Sequence, residues 1–139
     1  MVQEQAQAIL ATSSRTHRLR LLPREALVKT SKIDHADWNF MPVLAFLQRK
    51  RFRMAVSLLP PKRLPRMLEI GYGSGVFMPE LATHCEELYG IDVHDKGSEV
   101  LRSLRTFKVT ANLFRSAAEA MPFPDAFFNA AMPLAASNS

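Results

Sequence analysis

The sequence predicts an α/β domain built on a parallel sheet and preceded by a helical extension. Three observations carry that prediction. An apolar run, Met67-Leu68-Glu69-Ile70, leads into glycine at every second position, Gly71, Gly73 and Gly75, which reads as a buried strand feeding a tight turn. Seventeen residues beyond Gly75, a second apolar run, Leu88-Tyr89-Gly90-Ile91, ends in Asp92. Strand-like and helix-like segments then alternate to the end of the sequence, the pattern of βαβ units with right-handed crossovers.

In chain order, Gln3–Ala11 reads as a short helix, followed by polar and basic sequence to about residue 40. Pro42 to Leu59 is helical, with Pro42 suited to a first turn. Leu44, Leu47, Arg51, Met54, Ala55 and Leu58 form its expected apolar stripe, and Trp38 and Phe40 are expected to anchor the segment before it. Pro60-Pro61-Lys62-Arg63-Leu64-Pro65 is a stiff linker, because three prolines in six residues cannot continue a helix. The expected domains are therefore a helical, basic extension over 1–60 and a ligand-binding domain over 61–139. In the second domain, strands are expected at Arg66–Ile70, Glu87–Ile91, Asn112–Arg115 and Phe128–Met132. Helices are expected at Gly75–Cys85 and Ser98–Leu104, with Met121-Pro122-Phe123-Pro124-Asp125 as a turn.

The 139 residues, 47% hydrophobic and 22% charged, suit one soluble core. No run approaches the roughly 18 apolar residues of a membrane span, and no secretory signal opens the sequence. One cysteine, Cys85, excludes an internal disulfide and points to the cytoplasm. Residues 1–66 hold 13 Lys/Arg against 4 Asp/Glu, whereas residues 67–139 hold 5 against 9. The basic half could meet an acidic partner, but no aromatics interleave with its cations, so no clear nucleic-acid site emerges. Arg49-Lys50-Arg51-Phe52-Arg53 reads as a charged helix face. His84, Cys85 and His94 lack a fourth donor at ligand spacing, so no metal site is expected.

The glycine unit carries the chemistry. Gly71 lets the strand turn sharply, Gly73 clears space for a ligand against the backbone, and Gly75 allows close packing as a helix begins. Asp92, at a second strand end, is placed to accept from ribose hydroxyls. Glu69 beside the turn suits a cationic ligand. A dinucleotide fingerprint would need a third glycine where Val76 stands, and a P-loop would need Lys and Ser or Thr after Gly75. A nucleophile elbow on Ser74 would need glycines in place of Tyr72 and Val76.

Leu68-Glu69-Ile70-Gly71-Tyr72-Gly73-Ser74-Gly75 resembles motif I of the class I S-adenosylmethionine-dependent methyltransferases, and Gly90-Ile91-Asp92-Val93 resembles their second motif. Ala118-Glu119-Ala120-Met121-Pro122-Phe123-Pro124-Asp125 is similar to the AEALPFPD segment of the type 11 branch, and Phe128-Asn129-Ala130-Ala131-Met132 to the strand that follows it. The resemblance covers about residues 64–132. It implies a Rossmann-like sheet, incomplete here at about four strands in the order 3-2-1-4, and S-adenosyl-L-methionine as cofactor. The cofactor-binding residues it implies are Glu69, Gly71, Tyr72, Gly73, Ser74, Gly75, Asp92, Val93, Ala118 and Glu119.

Two positions depart from the family pattern. Ala117 stands where an Asp commonly meets the adenine amino group, and Asn129 replaces the fourth-strand Asp. The reaction implied is in-line transfer of a methyl group to an acceptor, expected to be a small molecule, and no catalytic base can be named. The alternative is a noncatalytic, truncated binding module that needs a partner chain, with the exposed edge of the fourth strand as the place for it.

Overall fold

The computed structural model describes residues 18–28, 30 and 42–133, with side chains in the first helix from Phe46 onward. The expected helix at Gln3–Ala11, the anchors Trp38 and Phe40, and Leu44 lie outside that description. A 3-10 turn spans Arg24–Ala26, and the first described helix, α1, spans Pro42–Ser57. There follow β1 (Leu64–Ile70), α2 (Met78–Ala82), β2 (Cys85–Asp92), α3 (Gly97–Thr106) and β3 (Asn112–Arg115). A second 3-10 turn at Ala118–Ala120 precedes β4 (Ala130–Pro133).

The four strands are parallel in the order β3-β2-β1-β4, the Rossmann-like order expected. Leu68 pairs with Tyr89 on one side and Ala131 on the other, so β1 is central and buried. Parallel strands need crossovers, and α2 and α3 supply two of them. The order reverses between β1 and β4, which opens a crevice beyond the C-terminal ends of the strands.

Strand alternation sorts the side chains onto two faces. Met67, Leu88 and Met132 face the helices and pack with Met78, Leu81, Val100 and Leu104. Gly90 lies beneath this layer, where a Cβ would come 2.7 Å from Met78 Cε and 2.9 Å from Tyr72 Cδ1. Leu68 and Ile91, each 1% exposed, occupy the other face with Tyr89 and Phe114. There the Phe123, Phe127 and Phe128 rings meet Tyr89 edge-on at 5.8, 5.4 and 5.3 Å, and the Arg66 guanidinium lies 4.3 Å over Phe127.

Residues before the linker share the same core. Leu22, Phe52 and Val56 are buried in it, the Phe52 ring lies 4.4 Å from Phe77, and Leu22 N–H donates to the Val76 carbonyl at 3.1 Å. Ser103 Oγ donates to the Ala26 carbonyl, which ties the N-terminal segment to α3.

Several expectations need correction. The buried face of α1 is Phe52 and Val56, flanked by Ala55 and Leu59, whereas Leu47, Met54 and Leu58 are 48%, 60% and 86% exposed. Both stripes satisfy helical spacing, and contact with Phe77 selects the one carrying the aromatic ring. The helix expected at Gly75–Cys85 shrinks to Met78–Ala82. Pro79 sits in its first turn, and Thr83 ends it with its hydroxyl on the Glu80 carbonyl at 2.7 Å. Cys85 instead opens β2. The fourth strand starts two residues later than expected, and Asn129 just before it donates its N–H to the Arg66 carbonyl and accepts from Arg66 N–H at Oδ1, each 2.9 Å. No described helix is long and apolar enough to cross a membrane.

Candidate functional site

The turn after β1 is held by backbone bonds before any side chain contributes. Gly71 N–H donates to the Ile91 carbonyl at 2.8 Å, and Gly75 N–H to the Tyr72 carbonyl at 2.8 Å. All three glycines take positive φ: 74° at Gly71, 56° at Gly73 and 81° at Gly75. A side chain there would cost about 1–2 kcal/mol in backbone conformation alone.

Their surroundings differ in an informative way. A Cβ on Gly75 would sit 3.0 Å from Val100 Cγ1, so this glycine lets the turn close onto α3. A Cβ on Gly73 would meet nothing within 4 Å, so this glycine faces open space at the strand ends.

Asp92 closes the site from β2. Its Oδ2 accepts from Gly73 N–H at 2.8 Å and its Oδ1 from Val93 N–H at 2.7 Å. Each carboxylate oxygen keeps lone-pair capacity for a further donor. Val93, next in sequence, is 64% exposed, an apolar surface beside the carboxylate.

Glu69 and Ser74 are 1% and 2% exposed, and among the described residues neither Glu69 Oε1 nor Ser74 Oγ has a hydrogen-bond partner. Buried polar atoms are almost always paired, so two orphans at one glycine turn make it a candidate for polar ligand groups. Burial first, and the nearby Asp92 charge second, hold the Glu69 carboxyl well above its ordinary range. Tyr72 is buried, edge-on to His94 with ring centroids 5.0 Å apart. Its hydroxyl is pushed up to about 12 by burial, then by Asp92 and Glu69.

Two residues outside the expected set brace this arrangement. His94 Nδ1 accepts from Lys96 N–H at 3.0 Å, so its Nε2 carries the proton and donates to the Gly73 carbonyl at 2.8 Å. Arg115 Nε donates to the Val93 carbonyl at 2.9 Å. Nothing in the sequence marks either bond, since both join residues from separate strand ends. A cavity of about 290 Å³ opens among Tyr72, His94, Ser98, Leu113 and Arg115.

Of the residues expected here, Gly73, Asp92 and Val93 are brought together directly, with Glu69 and Ser74 buried at the turn. Ala118 and Glu119 lie on the exposed 3-10 turn after β3. That turn is linked to the site through Ser116, whose N–H donates to the Asp92 carbonyl at 2.9 Å and whose hydroxyl donates to the Ala120 carbonyl at 3.1 Å. The Glu119 carboxylate forms no hydrogen bond or ion pair among the described residues.

Comparison with known proteins accounts for this geometry. A family model described as a methyltransferase domain matches residues 68–136, which run from the strand before the glycine turn to just beyond β4. The structure is similar to the YcgJ protein from Bacillus subtilis, with a TM-score of 0.51 and 25% identity over 56% of this chain and 34% of that one. It is also similar to the C-terminal domain of precorrin-6Y C5,15-methyltransferase from Rhodobacter capsulatus, with a TM-score of 0.46 and 16% identity over 73% and 52%. The chain spans about a third and a half of these two structures. No curated protein matches it.

The fold and the glycine turn define a Rossmann-like nucleoside-cofactor domain. With the family match over residues 68–136, the findings support a class I S-adenosylmethionine-dependent methyltransferase domain, and S-adenosylmethionine is the cofactor of that family.

Proposed function

We propose that this chain binds S-adenosylmethionine at the Gly71–Gly75 turn and transfers its methyl group to a small-molecule acceptor. The observation that carries this reading is the pairing of Gly73, which faces open space at φ 56°, with the Asp92 carboxylate 2.8 Å from its N–H. Backbone and carboxylate together offer a nucleoside both a bare surface to approach and an acceptor for its hydroxyls.

The residues present fit the cofactor. Asp92 accepts from the ribose hydroxyls, and Val93 and Ala118 flank the base with apolar surface. The orphaned Glu69 Oε1 meets the cationic end, and Ser74 Oγ supplies a further polar contact. Tyr72 and His94 hold the turn from behind, and Glu119 lies on the turn that borders the base. When bound, S-adenosylmethionine supplies an electrophilic methyl group on a sulfonium centre. The contribution of the protein is then to hold that methyl in line with the acceptor and exclude water. A cytoplasmic setting belongs to the same reading, because the single cysteine, Cys85, has no partner in the sequence for an internal disulfide.

A noncatalytic module that docks a partner chain is the second reading. The four-stranded sheet favours it, since among the described residues both β3 and β4 are edge strands with one unpaired side. Transfer of radiolabelled methyl from S-adenosylmethionine to a panel of hydroxyl, amine and carbon acceptors separates the two. Turnover on any acceptor supports the enzyme. Cofactor binding without turnover, together with a co-purifying chain, supports the module.

A further inference from the structure

A second concavity lies away from the glycine turn. A cleft of about 1020 Å³ opens between residues 18–22, α1, the end of α2 and the segment after α3. Thr83 and Phe107, which end α2 and α3, both line it, so it opens toward the edge of the sheet opposite Asp92. Four cations border it, Arg18, Arg20, Arg49 and Lys108, and its described lining contains no acidic residue. None of the four side chains forms an ion pair or hydrogen bond among the described residues. On α2 beside the cleft, the Glu80 carboxylate is 0% exposed and is engaged by Arg20 N–H at 3.0 Å, the Thr83 hydroxyl and His84.

Like charges gathered in a concave, low-dielectric wall repel one another and focus a positive potential there. The carbonyls at the end of α3 do not offset it, because the Leu104 carbonyl takes bonds from the N–H groups of Phe107 and Val109, and the Arg105 carbonyl from Lys108. Lys108 itself stands at φ 60°, a helix-ending conformation that glycine fills without strain. Lys108 thus holds a strained backbone conformation on the wall of a cationic cleft. Apart from Thr83, the remaining described lining is apolar, with Leu22 and Val109 buried and the Phe107 ring 44% exposed.

We propose that this cleft binds a soluble organic polyphosphate. Three guanidinium forks and one ammonium suit an anion with several negative oxygens better than a lone carboxylate. The exposed Phe107 ring offers a stacking face for an aromatic body attached to the phosphates. The proposal is independent of the cofactor reading, since it shares no residue with the glycine turn.

The test is calorimetric titration of the full chain with ADP, inorganic pyrophosphate and adenosine at low salt. One ADP is expected to bind per chain, pyrophosphate to compete for the same site, and adenosine alone to give no detectable heat. Arg49→Ala and Lys108→Gly are each expected to raise the ADP Kd at least tenfold. Lys108→Gly should at the same time raise the melting temperature, because it relieves the positive φ. Saturating S-adenosylhomocysteine should leave the ADP Kd within twofold. The proposal is overturned if folded protein gives no saturable ADP binding, or if both substitutions leave the Kd unchanged. It is equally overturned if S-adenosylhomocysteine displaces ADP, which would put the nucleotide in the glycine turn.

Discussion

Gly73 and Gly75 share a backbone conformation but differ in what a side chain would strike, and this separates binding from folding. Gly75→Ala adds a Cβ 3.0 Å from Val100 as well as backbone strain, and overpacking alone costs about 1–3 kcal/mol. It should therefore lower the melting temperature markedly. Gly73→Ala meets no neighbour within 4 Å, so it should shift the melt less while weakening cofactor binding more, as calorimetry would show. Glu69 supplies a pH signature. Its folded carboxyl titrates above the ordinary value of 4.5, so the native state holds its proton more tightly than the unfolded chain does. Stability of the ligand-free protein should therefore fall as pH rises from about that value toward the raised one, by up to about 1.4 kcal/mol per pH unit. Glu69→Gln should flatten that slope in thermal melts run at successive pH values above 4.5. A cation settling beside Oε1 would favour the charged carboxylate, so cofactor affinity should strengthen with pH across the same window. The positions of Gly71, Gly73, Gly75 and Asp92 were legible because glycine at φ > 0 and an acid at a strand end leave sequence signatures. His94 was not, because its bond to the Gly73 carbonyl depends on two loops meeting in space.

At the scale of elements, β1, β2 and β3 could be read from apolar runs between turn residues, and their bounds shift by at most two residues. Helix α2 could not, because Pro79 and the glycine turn before it leave only five helical residues. In α1 and the two residues after it, Gln48, Phe52, Ala55, Val56 and Leu59 have the same helical spacing as the expected stripe through Leu47, Arg51, Met54, Ala55 and Leu58. Periodicity alone does not choose between two apolar faces, whereas packing against Phe77 does. Phe52→Ala should therefore cost about 3–5 kcal/mol in a denaturant melt. Met54→Ala and Leu58→Ala should stay within about 0.5 kcal/mol of the parent protein. The reverse ranking would restore the stripe suggested by spacing.

Across the whole molecule, the Pro60–Pro65 linker divides charge and composition, but the core runs across it through Leu22, Phe52 and Val56. Removal of residues 1–59 should accordingly abolish a single cooperative melt, as read by circular dichroism, even though every residue of the glycine turn remains. The sheet order followed from the resemblance, and the crossing of the linker did not, because long-range packing of an N-terminal segment has no local sequence mark. The account rests most heavily on Asp92, which joins the second strand to the glycine turn. Its direct test is calorimetric titration of the full chain and of Asp92→Ala with S-adenosylhomocysteine, with circular dichroism confirming that both are folded. One ligand is expected to bind per parent chain, and the Kd to rise at least tenfold in the variant. Absence of binding by the folded parent protein, or equal affinity in Asp92→Ala, would contradict the account.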